Sequence, residues 1–240
     1  MSFEDILERV REALNGEPRV GFDENAIQMD YEGGGILTLE GEVADIVAKK
    51  LALERAAAVQ GVSAIVDRLR VTPASRDGDG LIRDHVRDAL LQEPAFQDIG
   101  LRVHTERETE VVRDPPLACG SIEVRVANGV VTLDGEVPSL SHKRLAGVLA
   151  WWVPGSRDVV NGLGVDPPEE DNEGEIADAV RLVLEKDPFV NVSQIRISVR
   201  NGVVTLSGYV PAEAEREMAE CDAWYVFGVD EVINAIEIGR

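Results

Sequence analysis

The sequence predicts an α+β protein made of three tandem αββαβ units, and three observations carry that reading. One hairpin pattern is written three times: IQMDYEGGGILTLEGEV at 27–43, IEVRVANGVVTLDGEV at 122–137 and IRISVRNGVVTLSGYV at 195–210. An amphipathic helix pattern precedes each copy. A helix with a small inner stripe and a short apolar strand follow each. A chain of 240 residues fits one large domain or several small ones, and the repeat decides for three. They are expected at about residues 1–72, 80–166 and 174–240.

The first helix of each unit is read from Ile6, Val10 and Leu14, from Ile82, Val86 and Leu90, and from Ile176, Val180 and Leu184. Spacings of four place each trio on one helical stripe. Pro18, Pro94 and Pro188 follow, where the ring forbids further helical hydrogen bonding. The hairpin comes next. Apolar and polar residues alternate on both sides of Asn128-Gly129 and Asn201-Gly202, and such a pair suits a type I′ turn because both central residues need positive φ. Pairing outward from the turn collects the apolar side chains on one face, so the sheet should be covered on one side only.

Copy one needs a different turn. A two-residue turn at Gly34-Gly35 would put Asp30 and Glu32 into the core, so a three-residue loop, Gly33-Gly34-Gly35, is expected to restore Ile27, Met29 and Tyr31 to the buried face. Gly41, Gly135 and Gly208 fall opposite Ile27, Ile122 and Ile195. A side chain there is expected to stand between sheet and helix, hence glycine for close approach. The second helix carries Ala52 and Ala56, Ala146 and Ala150, or Ala219 and Ala223, which let it lie close to the sheet. It ends at Gly61, Gly155 or Gly228, before VSAIVDRLRV, SRDVVNGLGV or VDEVINAIEI.

The order helix, strand, strand, helix, strand, with NGVVTL-x-G at the hairpin and Asn161 or Asn234 in the last strand, resembles the BON domain, the module named for bacterial osmotic-stress and nodulation proteins. Copy one departs from the pattern, with Gly34-Gly35 at the turn and Asp67 at the asparagine position. The resemblance implies two helices packed on one face of a three-stranded mixed sheet, used for binding and not for catalysis. It also implies phospholipid surfaces or a potassium ion as ligand classes.

Two polar linkers, Thr72 to Gly80 and Asp166 to Gly174, should be exposed and poor in secondary structure. Copy two is longer than the others by an insertion, about 104–119, whose charge and Pro115-Pro116 suggest a mobile loop. Docking of Val111 and Val112 on another copy is the alternative.

The net charge of −21 argues against nucleic acid and anionic lipid. From Pro167 onward sixteen acidic residues face six basic ones, a net −10. No apolar run has the length of a membrane span, and the N-terminus is acidic and amphipathic. Cys119 and Cys221, without any CxxC, suggest free thiols in a reducing cytoplasm. His85, His104 and His142 are scattered, and no catalytic signature occurs, so no enzyme and no resident cofactor are expected. The candidate interaction surface is aromatic: Trp151-Trp152 and Trp224-Tyr225, with Phe227 beyond, where copy one has Ala57-Ala58. Adjacent helical residues diverge by about 100°, so one member of each pair should reach a rim, where contact with another repeat or protomer is expected and partial burial or a membrane or ligand platform are the alternatives. The expected function is a non-catalytic, cytoplasmic binding protein with a stress or ion-homeostasis role. Potassium is its expected ligand, and a phospholipid surface or a protein scaffold the alternatives.

Overall fold

The computed structural model describes residues 3–24, 26–105 and 107–239, in two compact units, 1–72 and 73–240. The first contains α1 (Phe3–Asn15), β1 (Ile27–Glu32), β2 (Ile36–Val43), α2 (Ile46–Ala57) and β3 (Ala64–Val71). Ile6, Val10 and Leu14 are the buried stripe of α1, and Pro18 opens a 3-10 turn that buries Val20. β1 pairs antiparallel with β2, and β2 parallel with β3. Glu32 pairs with Ile36 and Tyr31 with Leu37, so the loop is Gly33-Gly34-Gly35 as expected. Ile27 is buried, Met29 and Tyr31 are half-buried, and Glu32 is exposed. Asp45 caps α2 by accepting from the Ala48 N–H at 2.8 Å.

The second unit holds two copies. Copy two runs α3 (Asp79–Gln92), β4 (Gly100–His104), β5 (Thr109–Arg113), β6 (Ser121–Ala127), β7 (Val130–Val137), α4 (Leu140–Trp152), β8 (Asp158–Asn161) and β9 (Gly164–Val165). Copy three runs α5 (Glu173–Lys186), β10 (Ile195–Arg200), β11 (Val203–Val210), α6 (Glu213–Tyr225) and β12 (Glu231–Ile238). The architecture is α+β, with the β10-β11-β12 sheet repeating β1-β2-β3. Asn128 and Asn201 have φ of 54° and 49°, and Gly129 and Gly202 of 75° and 74°, the double positive φ of a type I′ turn. Carboxylates of the preceding helices hold these turns: Asp79 accepts from the N–H groups of Asn128 and Gly129, and Glu173 from that of Asn201, each at 2.8 Å.

Two expectations are corrected. The insertion is not a loop throughout: it carries a strand, β5, and its Val112 packs against the core of its own copy. β4 pairs parallel with β6, and β5 antiparallel with β4, so the sheet of copy two reads β5-β4-β6-β7-β8 with β9 continuing beside β7. Leu101 and Val103 alternate inward and join the core of Ile122, Val124 and Leu133, with Val112 packed beside it, while Val111 is exposed. That buried alternation outweighs the charge of the segment. Close approach at the hairpin glycines is also different in kind. At Gly41, Gly135 and Gly208, φ is 144°, 120° and 139°, and an added Cβ would strike the carbonyl oxygen of Ala26, Ser121 or Gln194. The partner strand itself, not the helix, excludes a side chain.

The last strand explains the asparagine. Asn161 Nδ2 donates to the Lys143 carbonyl at 2.7 Å, and Asn234 Nδ2 to that of Arg216 at 2.9 Å. Their Oδ1 atoms accept from the N–H of Leu163 and of Ile236. In copy one Asp67 accepts the Leu69 N–H at 2.9 Å but has no amide donor. Lys49, at the helix position of Lys143 and Arg216, sends its buried ammonium to Asp67 at 2.9 Å and to the Leu69 carbonyl at 2.8 Å. A lysine–aspartate pair thus replaces an amide bridge between helix and strand. Asn234→Ala removes one donor and one acceptor at once. It should cost about 2 kcal/mol in urea unfolding, and an unchanged midpoint would deny the bridge its role.

Candidate interaction surface at the junction of copies two and three

α4 packs on its own strands β7 and β8 and also on α5 and α6, so the helices of copies two and three lie against one another. Leu182 of α5 packs against the core of copy two. Lys186 at the end of α5 bridges to Glu93 after α3 at 2.9 Å.

Arg144 is the polar centre of this contact. It stands four residues after Leu140 and four before Val148, both buried, so the helix period turns it inward. Its side chain has no exposure; Nη2 reaches Asp171 at 2.6 Å, and Nε donates to the Phe227 carbonyl at 3.0 Å. Nη1 has no partner among the described residues. The acidic linker is therefore pinned: Asp171 holds Arg144, Glu169 accepts the Leu140 N–H at 2.7 Å, and Asn172 caps α5.

The aromatic residues divide by role. Trp224 is wholly buried. Its neighbour Tyr225 meets Trp151 of copy two, ring centroids 5.8 Å apart and planes inclined by 31°. Trp152 Nε1 donates to Asp222 Oδ1 at 3.1 Å. Phe227 is 56% exposed, with the Lys143 ammonium 5.6 Å from its ring centroid. Trp151, Trp152, Tyr225 and Phe227 thus gather where copy two meets copy three. Of the turn residues, Asn128 and Gly129 are held by Asp79, and Asn201 by Glu173.

Asp222 completes the junction. It is 3% exposed, and its Oδ2 has no donor. Burial first, then the charge of and a hydrogen bond with nearby Asp187, push its carboxyl up to about 8, against the Trp152 hydrogen bond, which favours the anion. Asp187 is itself buried and accepts the Phe189 N–H at 2.7 Å after α5. Asp222 therefore favours its protonated form at neutral pH. Sequence reasoning missed both Arg144 and Asp222. The usable signal was position: Asp222 lies three residues after Ala219 and next to Ala223, on the inner stripe.

Lys49-Lys50 and Lys143-Arg144, adjacent basic pairs in the second helices, offer little to an anionic surface, because Lys49 and Arg144 are buried. Among the described residues no group of three or more His, Cys, Asp or Glu could hold a metal, and no helix is long and apolar enough to cross a membrane. His104 bonds Glu123 at 2.8 Å and, with Arg102 and Arg125, holds that carboxyl below the usual range.

The family model described as BON domain matches residues 3–73, 108–167 and 172–240. In copy two the match begins inside the inserted hairpin, with α3 and β4 before it. Two solved structures are similar at low level. One is the C-terminal domain of CdsD, the structural protein of the type III secretion system of Chlamydia trachomatis, at 14% identity over 100% of each chain with a TM-score of 0.26. The other, from structural studies of CdsD of the same organism, is 14% identical over 98% of this chain and 94% of that one, with a TM-score of 0.25. No curated protein matches the chain.

Proposed function

The chain belongs to the BON domain family, a family of binding modules associated with stress and with membrane or lipid binding, and we propose that it is a non-catalytic binding protein in which copies two and three act as one docking body. The observation that carries this reading is the complete burial of the Arg144 side chain between them. A buried guanidinium with defined partners holds one arrangement of two domains, because any other leaves a charge unpaired. Hydrogen exchange on the full chain tests it. Amides of α4, α5 and α6 should open with the same free energy, whereas separate values for α4 and α6 would reject the single body.

A potassium ion remains the ligand proposed for the acidic surface, supported by the net charge of −21. Its melting temperature should rise more in K⁺ than in the same concentration of tetramethylammonium, and binding to phosphatidylglycerol vesicles at physiological salt should be negligible. Equal shifts remove the ion; co-sedimentation puts a lipid surface in its place. The proposed compartment is the cytoplasm, supported by Cys119 and Cys221, neither of which is in a disulfide.

A further inference from the structure

We propose that the open edge of β10 takes an added strand from a partner: an extended acidic segment in which carboxylates alternate with aliphatic residues. This names a partner class for the docking body and rests on that reading.

Copy two shows that the fold accepts a strand at this edge. β6 and β10 are equivalent, since Ile122 pairs with Gly135 and Ile195 with Gly208. β10 is the outer strand of its sheet, whereas the same edge of β6 is occupied by β4, parallel, with Leu101 opposite Ile122 and Val103 opposite Val124. The inserted strand supplies aliphatic residues to the core and cations outward. Arg102 and His104 lie 3.9 and 2.8 Å from Glu123 of β6.

In copy three the charge at that place is inverted. Arg196 follows Ile195 as Glu123 follows Ile122, so an occupant needs carboxylates where β4 has Arg102 and His104. Arg196 and Arg181 of α5 line one groove of about 560 Å³, whose only carboxylate is Glu237, two strands away on β12. Arg200 lines the next, about 450 Å³. The other described cations of this copy are paired, Lys186 with Glu93 and Arg216 with Glu213. Arg181, Arg196 and Arg200 form no ion pair with a described residue, in a segment of net charge −10. β1 presents Gln28, Asp30 and Glu32 instead, so the basic edge belongs to copy three. A second copy of this chain is a poor occupant. The most fully overlapped antiparallel pairing of two β10 edges with Ile197 and Val199 on the core side, in which Ser198 faces Ser198, sets Arg196 against Arg200, and like charges directly opposed destabilise a ladder. Strand addition takes its affinity from the backbone and its specificity from alternate side chains.

The test uses the full chain and a capped octapeptide of alternating glutamate and valine, with a lysine–valine peptide as control. Fluorescence anisotropy should show binding of the first that weakens at least about tenfold in Arg196→Glu/Arg200→Glu and with added salt. Hydrogen exchange should show new protection confined to 195–200. Both substitutions are at exposed positions, and unchanged circular dichroism confirms the fold. Equal binding of the two peptides, undiminished binding by the variant, protection at β1, no binding of the acidic peptide, or a dimer sealed through β10 would each overturn the proposal. Peptide protection at β10 together with separate opening of α4 and α6 would keep it and reject the single docking body.

Discussion

Arg144→Ala is expected to destabilise residues 73–240 by about 3–5 kcal/mol and to uncouple copy two from copy three. Removing a buried, hydrogen-bonded cation loses three things at once: the stem packing, the bond to the Phe227 carbonyl and the pairing with Asp171. Asp171, with a side chain 41% exposed, can recover water, so the larger cost lies in the carbonyl and the cavity. Arg144→Met keeps most of the volume and should cost less. Arg11, whose bond to Glu8 is equally short at 2.6 Å but joins side chains 34% and 62% exposed, should lose under about 1 kcal/mol on replacement by alanine. Location, not distance, decides the magnitude. The readout is favourable, because the three tryptophans, Trp151, Trp152 and Trp224, all stand at the ends of α4 and α6. Urea unfolding followed by tryptophan emission should move to a lower midpoint and separate into two steps. A single transition at the parent midpoint would show that Arg144 does not join the copies.

The elements legible in the sequence were those written by periodicity. Spacings of four in α1, α3 and α5, period-two alternation around Asn-Gly, and the three-glycine loop of copy one each follow from which residues share a face, and the structure places them so. The inserted hairpin was hidden for a physical reason. Leu101 and Val103 alternate over only five residues of β4, followed by a dense run of charge, and only the open edge of β6 makes such a short strand worth forming. The aromatic pairs at the helix ends announced a contact, but its polar half did not show. Arg144 and Asp222 look like surface charges until the stripe they sit on is seen to face another helical layer. A stripe that is small near the sheet and charged beside it reads as an edge of the core within one domain; only the second domain makes it an interior.

Asp222→Asn is expected to stabilise the protein increasingly as pH rises from about 4 to about 8, by several kcal/mol at the upper end, while leaving it nearly unchanged near pH 4. The native carboxyl is raised from the ordinary value of 3.8 to about 8, so folding favours the protonated acid. The stabilisation tied to that proton is complete below about pH 4 and is lost as pH rises through about 8, where ionised Asp222 faces Asp187 inside the junction. In between, this group alone makes stability fall by up to about 1.4 kcal/mol per pH unit. Asparagine keeps an oxygen for Trp152 Nε1 and offers Asp187 an N–H that does not titrate. The opposite sign comes from Glu17, lowered from 4.5 to about 2 by its hydrogen bond to Arg19 and another to Arg55; its contribution is present above pH 4.5 and lost as pH falls toward 2. The difference between parent and variant, measured by urea unfolding at pH 5, 7 and 8.5, therefore isolates Asp222. It should widen steadily with pH, and two parallel profiles would mean that folding does not raise the Asp222 carboxyl where Trp152 closes the junction.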